Sequence, residues 1–381
     1  MKRVNYCVGG ALLMFASVAI ATDHDAAEVD AARRSLPRDV LLQYHDDNGT
    51  ARPVKSIAQW QRRRDEIVAA MQSVMGTLPV EDAPREAPSY RVIEEVDCGS
   101  YLRRRITYQS EPHCETPAYL CIPKTLLESG TKGPAVICLH PTDAQIGYGV
   151  VVGLGGKANR QYAMELAERG FVTLSPSYPL LANYQPDLQA GGWQSGTLKA
   201  VWDNLRGIDL LQSLPFVDDQ PIGAIGHSLG GHNAVYTAVF DPRIKAVVSS
   251  CGLDSYVDYF EGDPAKWLPE QGWTQTRYMP RLRNYRGRLE EIPFDFHEMI
   301  AAIAPRAVLI VAPTGDSNFR ADSVDRIAAA ARPVYQLFGK ADQLQVRHPD
   351  CDHDFPDEMR EAAYRFLETA LSHQENEASF D

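Results

Sequence analysis

Two hydrophobic periods alternate along this chain. Between residues 57 and 75 the apolar side chains fall on one stripe at helical spacing, which predicts an amphipathic helix over Ile57–Met75. Ser56 and Gln59 predict a cap at its start, and Gly76 predicts its end. After this helix the spacing becomes that of strands. The predicted strands here are Tyr90–Val96, Tyr101–Tyr108 and Pro117–Ile122.

The central part of the chain alternates between buried-strand and helix patterns. Ala135–Leu139 is a continuous apolar run, as expected of a strand that is covered on both faces. Further predicted strands are Phe171–Leu174, Ile222–Ile225, Ile244–Ser249, Ala307–Val311 and Val334–Phe338. Predicted helices are Asn159–Arg169, Trp193–Leu214, Leu229–Phe240, Asp322–Ala331 and Glu358–Leu371. This alternation is typical of an α/β fold, in which a mostly parallel sheet lies between layers of helices.

One stretch interrupts the alternation. Residues 252–295 carry two tryptophans, several tyrosines and scattered prolines without a clear period, and an insertion of this length is usually functional or disordered. Its aromatic content favours a folded, cap-like insertion. The predicted organisation is an N-terminal extension over 22–89, a main α/β domain over 90–373 that contains the insertion, and a short tail over 374–381.

The first residues have the organisation of an export signal. Lys2 and Arg3 form a short positive region, Val8–Ile20 is apolar, and Ala19-Ile20-Ala21 fits the small-x-small pattern of a cleavage site. We expect cleavage after Ala21, and therefore a secreted or periplasmic protein. The apolar run is too short to span a bilayer comfortably, so the mature chain is not expected in a membrane.

Composition narrows the choice of partner. The 381 residues carry a formal charge of −12 at pH 7, which disfavours nucleic acid and anionic membrane surfaces because both are negatively charged. Cys121 and Cys138 lie in apolar strands and are expected to be buried thiols, although an oxidising compartment permits disulfides. The candidate disulfide pairs are Cys98 with Cys114 and Cys251 with Cys351.

The main chemical signal is the segment Gly226-His227-Ser228-Leu229-Gly230-Gly231, between a predicted strand and a predicted helix. A serine on such a tight turn is held in a strained conformation with its hydroxyl above the sheet, and the glycines avoid collisions with the neighbouring elements. The turn also aims a helix N-terminus at the reacting centre. We predict that Ser228 is a nucleophile, since a buried turn serine would not require glycine at all three positions.

A serine hydroxyl needs a base, normally a histidine that is oriented by a carboxylate. In this architecture the acid and then the histidine follow the serine, on loops after later strands. Asp316 directly follows a predicted strand and His353 precedes the terminal helix, so we predict that they form a catalytic triad with Ser228. Two competitors remain: Asp254, after an earlier strand, as the acid, and His348 as the base.

The loop around His353 has a second interpretation, as a metal site. Its candidate ligands are His348, Asp350, Asp352, His353 and Asp354. Ligands crowded this closely on one loop do not easily face a single ion, and zinc hydrolases usually draw their ligands from helix-spaced or distant positions. We therefore expect the reaction to use no metal and no organic cofactor.

The tetrahedral intermediate of acyl transfer needs two backbone donors. The amide of Leu229, next to the nucleophile, is the expected first donor. The second should come from the loop after Ala135–Leu139, where Pro141 has no N–H, so Thr142 is predicted. His140 is expected to brace this loop and is also a candidate substrate-binding residue. Tyr178 follows the next strand and has two interpretations, a substrate-binding side chain or a structural tyrosine.

At these motifs the chain resembles the α/β-hydrolase superfamily, and within it the dienelactone hydrolase, acetyl xylan esterase and prolyl-oligopeptidase-like branch. The motifs that carry the resemblance are His140-Pro-Thr142, Gly226-His-Ser-Leu-Gly-Gly231, Gly315-Asp-Ser-Asn-Phe319 and His353-Asp-Phe-Pro356. It covers about residues 90 to 373, and it implies an α/β-hydrolase fold with Ser228, Asp316 and His353 as the triad. Pro141 departs from the family's common His-Gly pattern in the loop that supplies the second oxyanion donor.

The resemblance implies hydrolysis of sugar acetates, simple carboxylic esters or peptides. We expect an esterase that acts on short-chain or carbohydrate esters through an acyl-serine intermediate, with a small molecule or a carbohydrate ester as its partner. A peptidase is an alternative, but that group usually carries a large N-terminal propeller, and fewer than 70 residues lie between the predicted leader and the first strand. A non-catalytic binding protein is a third interpretation, although such proteins typically lose the serine or the histidine.

Overall fold

The computed structural model describes residue 36 and residues 40–79 and 86–372 of the chain. The predicted leader over 1–21 and the predicted tail over 374–381 lie outside the described residues. Among the helices that the structure describes, none combines the length and the apolar character needed to cross a membrane.

A nine-stranded sheet forms the centre of the molecule, and a small hairpin lies apart from it. The hairpin pairs β1 (Gln43–His45) with β2 (Ala51–Pro53). The strands of the large sheet are β3 (Tyr90–Asp97), β4 (Tyr101–Glu111), β5 (Cys114–Pro123), β6 (Gly133–Leu139), β7 (Val172–Pro176), β8 (Val217–His227), β9 (Ile244–Ser250), β10 (Ala307–Val311) and β11 (Leu344–Arg347).

The strand order is β11-β10-β9-β8-β6-β7-β5-β4-β3. The six strands from β11 to β7 in this order pair in parallel, and β5, β4 and β3 continue the sheet in antiparallel pairs. The predicted α/β-hydrolase fold, a mostly parallel sheet between helices, is confirmed.

Helices cover both faces of the sheet. They are α1 (Ile57–Met75), α2 (Lys124–Ser129), α3 (Tyr162–Glu168), α4 (Gly196–Ser213), α5 (Leu229–Phe240), α6 (Phe296–Ile303), α7 (Ala321–Leu337) and α8 (Asp357–Leu371). Between β9 and α6 the chain forms a series of short 3₁₀ helices instead of regular elements.

Alternate residues of the parallel strands enter two separate hydrophobic cores. In β6, Ile137 and Leu139 belong to the core under α1 and α4–α7, whereas Val136 and Cys138 belong to the core under α3 and α8. A strand with apolar neighbours on both faces reads as a continuous apolar run, which is why β6 shows no alternation. The sheet is thereby fixed between two layers, and its carboxyl edge is left to the loops.

Most predicted elements are present, and one was wrong. The N-terminal helix spans the predicted Ile57–Met75, with the Ser56 hydroxyl accepting from the amide of Gln59. The predicted strand Val334–Phe338 is instead the last part of α7. Val334 and Tyr335 continue the buried stripe of that helix, so helical burial outweighs the local strand propensity. The final strand comes later, as β11, where Leu344 pairs with Val308 of β10.

The cysteine pairs proposed from the sequence do not form. All six cysteines within the described residues are free thiols, including Cys98, Cys114, Cys251 and Cys351. The Cys251 thiol instead contacts the carbonyl oxygen of Asp354 at 3.3 Å. Cys121 and Cys138 are buried thiols, as expected from their apolar strands.

Candidate active site

The candidate residues come together at the carboxyl edge of the parallel strands. Ser228 follows β8, Asp316 lies beyond β10 and His353 lies beyond β11. Thr142 and Tyr178 lie beyond β6 and β7, on the other side of the serine in the strand order. Because parallel strands end at one edge, residues that are far apart in sequence share one site there.

Ser228 occupies a strained turn between β8 and α5. Its φ is 54° and its ψ is −120°, in the left-handed half of the backbone map that non-glycine residues seldom enter. The turn is held by the Ser228 amide, which donates to the carbonyl of Ser250 at 2.8 Å. Strain of this kind persists only where the surroundings impose it, and it is common at reactive side chains.

The glycines that flank the serine are required by close backbone contacts. A Cβ atom at Gly226 would lie 2.1 Å from the carbonyl carbon of Gly230. A Cβ atom at Gly230 would lie 1.9 Å from the carbonyl oxygen of Leu139, at the end of β6. Any side chain at either position would push the turn away from the sheet. The Gly-x-Ser-x-Gly pattern is therefore needed sterically to bring the start of α5 against β6.

The structure brings His353 and Asp316 into contact. Nδ1 of His353 lies 2.8 Å from Oδ2 of Asp316. The other carboxylate oxygen of Asp316 accepts from the amides of Asn318 at 2.8 Å and Phe319 at 3.1 Å. The Asp316 side chain is fully buried and that of His353 is 19% exposed. A carboxylate held in this way fixes the orientation of the imidazole and leaves Nε2 for proton transfer.

The imidazole of His353 lies beside the serine turn. Its ring centroid is 4.9 Å from that of His227, the residue before Ser228, and 5.8 Å from the ring of Phe319. A cavity of about 550 Å³ adjoins it. The cavity is lined by Lys157, Ala158, Asn159, Arg160, Cys351, Asp352, His353 and Asp354. This opening gives solvent and small molecules a path to the histidine.

The loop that carries His353 is held by two side chains from the segment before α3. Arg160 donates to Oδ1 of Asp354 at 2.5 Å and to the carbonyl of His353 at 3.1 Å. Asn159 donates to the other Asp354 oxygen at 2.8 Å. Sequence reasoning missed both residues, because a contact across almost 200 positions leaves no local signal.

The competing acid and base lie in other contacts. Nδ1 of His348 is 2.7 Å from the carbonyl of Ala312, and its Nε2 is 3.0 Å from Oδ1 of Asp325. Asp254 is buried, and this burial raises the pKa of its carboxyl to about 7. The carboxylate on Nδ1 of His353 is that of Asp316, so the geometry favours Asp316 over Asp254 as the orienting acid.

The loop after β6 is positioned by His140. Its Nδ1 lies 2.7 Å from the carbonyl of Pro141, and its Nε2 accepts from the amide of Tyr178 at 2.9 Å. Burial lowers the pKa of His140 to about 4, so the ring is neutral and both nitrogens serve the loop. This geometry favours a bracing role for His140 over substrate binding, since both ring nitrogens contact the backbone.

Of the two interpretations of Tyr178, the geometry favours a structural tyrosine over a substrate-binding side chain. Its ring is buried, and its hydroxyl contacts the carbonyl of Arg277 at 2.9 Å and the hydroxyl of Thr197 at 3.0 Å. Thr142 places its hydroxyl 3.2 Å from that of Tyr278, in the 252–295 insertion. Leu229 is the first residue of α5, so its amide is one of the unpaired donors at a helix start.

The insertion covers this edge with aromatic rings. The ring of Trp273 lies 6.1 Å from that of Phe319, 5.6 Å from Tyr259 and 5.3 Å from Tyr278. On its other face it stacks at 4.2 Å on His232, whose two nitrogens are buried without a hydrogen-bond partner. Burial lowers the pKa of His232 to about 3, so this imidazole is neutral. The aromatic wall begins at Phe319, directly beside His353.

The metal interpretation of the His353 loop does not fit the geometry. Within that loop His348 turns toward Asp325, His353 toward Asp316 and Asp354 toward Arg160, so these side chains diverge. A different group converges instead: His227, Cys251 and His353 each offer one ligand atom, and these atoms lie within 4.8 Å of one another. His227 is the last residue of β8 and Cys251 directly follows β9, and neither was recognised as a ligand from the sequence.

Several of the proteins that are similar to this chain are described as esterases of glucuronic acid. The sequence pattern of a family described as glucuronyl esterase of fungi matches residues 187–339. A 4-O-methyl-glucuronoyl methylesterase of Wolfiporia cocos is 26% identical over 344 residues, which cover 85% of this chain and 79% of that protein.

Solved structures of the same kind share the fold. A glucuronoyl esterase from Solibacter usitatus superposes with a TM-score of 0.70 at 20% identity, covering 89% of this chain and 99% of its own. A carbohydrate esterase family 15 glucuronoyl esterase from Caldicellulosiruptor kristjansonii gives 0.64 at 18% identity, covering 88% and 91%.

Proposed function

We propose that this chain, a carboxylic ester hydrolase with the α/β-hydrolase fold, cleaves carbohydrate esters through an acyl intermediate on Ser228. The observation that carries the proposal is the meeting of two features at one sheet edge. Ser228 stands on a turn with φ of 54°, and His353, beside that turn, bonds a buried carboxylate through Nδ1 at 2.8 Å.

In the proposed mechanism Ser228 attacks the ester carbonyl while Nε2 of His353 accepts its proton. His353 then delivers this proton to the departing alkoxide, and water reverses the sequence to release the acid. Asp316 holds Nδ1–H of His353 and stabilises the imidazolium. The amides of Leu229 and Thr142 donate to the oxyanion, aided by the N-terminus of α5.

We propose that the preferred substrates are esters of a sugar acid, and that sugar acetates are the second candidate. Relatives over most of the chain are described as glucuronoyl esterases, which favours a uronic acid as the acyl part. The aromatic rings at this edge favour a carbohydrate substrate. Tyr259 and Trp273 of the insertion pack against Phe319, and the three rings form a wall beside His353. Aromatic walls with a few polar groups are typical of small-molecule sites.

We also propose that the enzyme works outside the cytoplasm. The positive region, the apolar run and the Ala19-Ile20-Ala21 site support an export signal. Polymeric plant carbohydrates do not enter cells, so an enzyme that acts on their esters has to meet them outside.

The first test removes the nucleophile. Ser228→Ala should lower kcat on p-nitrophenyl acetate by about 10⁵–10⁶-fold, since the covalent step is lost. Ser129→Ala, on the exposed end of α2, serves as the matched control and should keep full activity. A fluorophosphonate probe should label the wild type and the control but not Ser228→Ala. Undiminished hydrolysis by Ser228→Ala would end the proposal.

The second test separates the substrates. We expect kcat/KM on a benzyl ester of glucuronic acid to exceed that on acetylated xylan by at least about tenfold, because tenfold needs only about 1.4 kcal/mol of preference in the transition state. The reverse order would make the enzyme a sugar acetyl esterase. Cleavage of aminoacyl amides at a comparable rate would instead favour the peptidase alternative.

A further inference from the structure

A thiol and a second imidazole lie against the proposed base, and the mechanism uses neither. Cys251 directly follows β9 and His227 ends β8, so adjacent parallel strands deliver both to His353. One ring nitrogen of each histidine and the sulfur of Cys251 all lie within 4.8 Å of one another. Three or more histidine, cysteine, aspartate or glutamate side chains that converge could hold one ion. Within the described residues, this set of two histidines and one cysteine is the one that converges.

We propose that His227, Cys251 and His353 form an inhibitory site for a thiophilic divalent cation such as Zn²⁺. Only the inhibitory effect rests on the proposed function, because a metal on Nε2 of His353 would block proton transfer from Ser228. Metal binding itself does not depend on that function. Two imidazoles and one thiolate are a ligand set that zinc prefers, with the fourth position left to water.

The neighbours of both histidines already act as outer-shell partners. Nδ1 of His353 lies 2.8 Å from Asp316, and Nδ1 of His227 lies 3.1 Å from the hydroxyl of Ser250. Metal-binding histidines nearly always hold their other nitrogen in such a contact, which fixes the tautomer and the ring orientation. Each ring therefore has Nε2 left for a metal.

The backbone at Cys251 is held rigidly. Its φ is 48°, and its amide donates to the carbonyl of Val311 at 2.8 Å, so the residue is fixed between β8 and β10. The side chains of His227 and Cys251 are almost fully buried, and His353 forms the solvent-facing member beside the cavity of about 550 Å³. An ion would enter through that cavity and contact His353 first.

Charge and spacing near the site permit a cation. The guanidinium of Arg160 is in an ion pair with Asp354 at 2.5 Å, Lys157 also lines the cavity, and the carboxylate of Asp316 contacts Nδ1 of His353. Zinc bonds of about 2.0–2.3 Å require tetrahedral ligand atoms to lie about 3.3–3.8 Å apart. The present separations are at most 4.8 Å, so the ligand atoms must approach one another by up to about 1.5 Å.

Binding exchanges a proton for the metal. The Cys251 thiol loses its proton to the buffer, and its sulfur forms the bond to the cation, while both imidazoles bind as neutral ligands. No electron is transferred, and chelation of the metal restores the starting state.

The experiment uses the full chain and Co²⁺ as a spectroscopic substitute for zinc. One equivalent of Co²⁺ should produce a thiolate-to-cobalt charge-transfer band together with the intense visible bands of tetrahedral coordination, and Zn²⁺ should displace both. Cys251→Ser and His227→Gln should each lose these bands. Cys351→Ser, which removes a nearby thiol outside the cluster, should keep them. A wild type without the bands, or a Cys251→Ser variant that retains them, would overturn the proposal.

The activity assay then separates this inference from the proposed function. Zn²⁺ should inhibit the wild type reversibly, and Cys251→Ser should weaken that inhibition by more than about 100-fold, because even outer-shell substitutions cost 10–100-fold in metal affinity. Ser228→Ala should abolish hydrolysis yet leave the cobalt spectrum unchanged. If Ser228→Ala remained active, the proposed function would fail while the cobalt spectrum still decided the metal site.

Discussion

At the residue scale the two candidate acids differ in what their carboxylates do. Asp316 bonds Nδ1 of His353 and two backbone amides, so its charge is well satisfied although the side chain is buried. Asp254 is buried with a pKa raised to about 7 by loss of solvation, so near neutrality its charged form is destabilised. Both residues follow predicted strands, so the sequence pattern does not distinguish the hydrogen bonding and burial of their carboxylates.

Asp316→Asn tests the assignment of the acid. An amide at this position donates to Nδ1 and forces the imidazole into the wrong tautomer, so kcat on p-nitrophenyl acetate should fall by about 10⁴-fold. Asp254→Asn is the matched control and should stay within about tenfold of the wild type. Steady-state kinetics of the two variants, with melting curves to verify folding, decides the matter. A larger loss in Asp254→Asn would reassign the acid.

Asp254 also predicts a pH-dependent stability. Its folded-state pKa of about 7 lies above the unfolded value near 3.9, so the folded state binds more protons between these pH values. Wild-type stability should therefore fall as the pH rises from 4 to 7, and Asp254→Asn should lack this term. We expect the Tm advantage of the variant to grow by a few °C across that window.

A control for that measurement removes an exposed carboxylate. Asp342→Asn makes the same change of charge at an exposed position and should show no such growth in Tm between pH 4 and 7. If the two variants behaved alike, the effect would belong to net charge and not to the buried carboxyl.

At the element scale α1 is joined to the main domain by a buried ion pair. Arg63 on α1 lies 2.5 Å from Glu298 on α6, and both side chains are less than 10% exposed. Glu298 also accepts from the amide of Asp295, at the start of α6. Arg64 adds bonds to the carbonyls of Val239 and Ala302. The N-terminal extension is thus held against the helices under the site through specific polar contacts.

Arg63→Ala should lower the free energy of unfolding by about 3–5 kcal/mol, because it leaves Glu298 buried without its cation. Arg62→Ala is the control on the same helix. The ion pair of Arg62 with Asp47 is exposed, with 45% and 90% of the two side chains accessible, so its loss should cost about 0–1 kcal/mol. Urea denaturation of both variants measures the difference. Equal losses would mean that this buried pair does not anchor α1.

Helices and strands were predicted correctly where the hydrophobic spacing is typical of only one of them. The prediction failed where the same residues fit both a helix and a strand. α1 and β10 have the predicted bounds, because each is a long or fully apolar run between clear breakers. The segment after Pro333 is apolar and partly β-branched, so the sequence favours a strand. In the fold the same side chains complete the buried stripe of α7, and packing against the core decides for the helix.

At the scale of the whole molecule, the predicted export signal can be tested directly. Expression with the native N-terminus in a bacterium with a general export pathway should yield a mature chain that begins at Thr22. N-terminal sequencing of the periplasmic or culture fraction measures this. Replacing Ala19 and Ala21 with bulky residues should leave the precursor uncleaved. A cytoplasmic protein that retains Met1 would contradict the proposal of export.

The sequence by itself determined the class of fold, the strand-to-helix turn at Ser228 and the chain order of nucleophile, acid and base. Periodicity and glycine sterics are local, so they can be read from neighbouring residues. Only the tertiary structure decided that Asp316, and not Asp254, contacts His353, that Arg160 clamps the loop, and that His227 and Cys251 converge on the same ring. These contacts join positions that lie tens to hundreds of residues apart, and their distances depend on strand order and register, which no local pattern encodes.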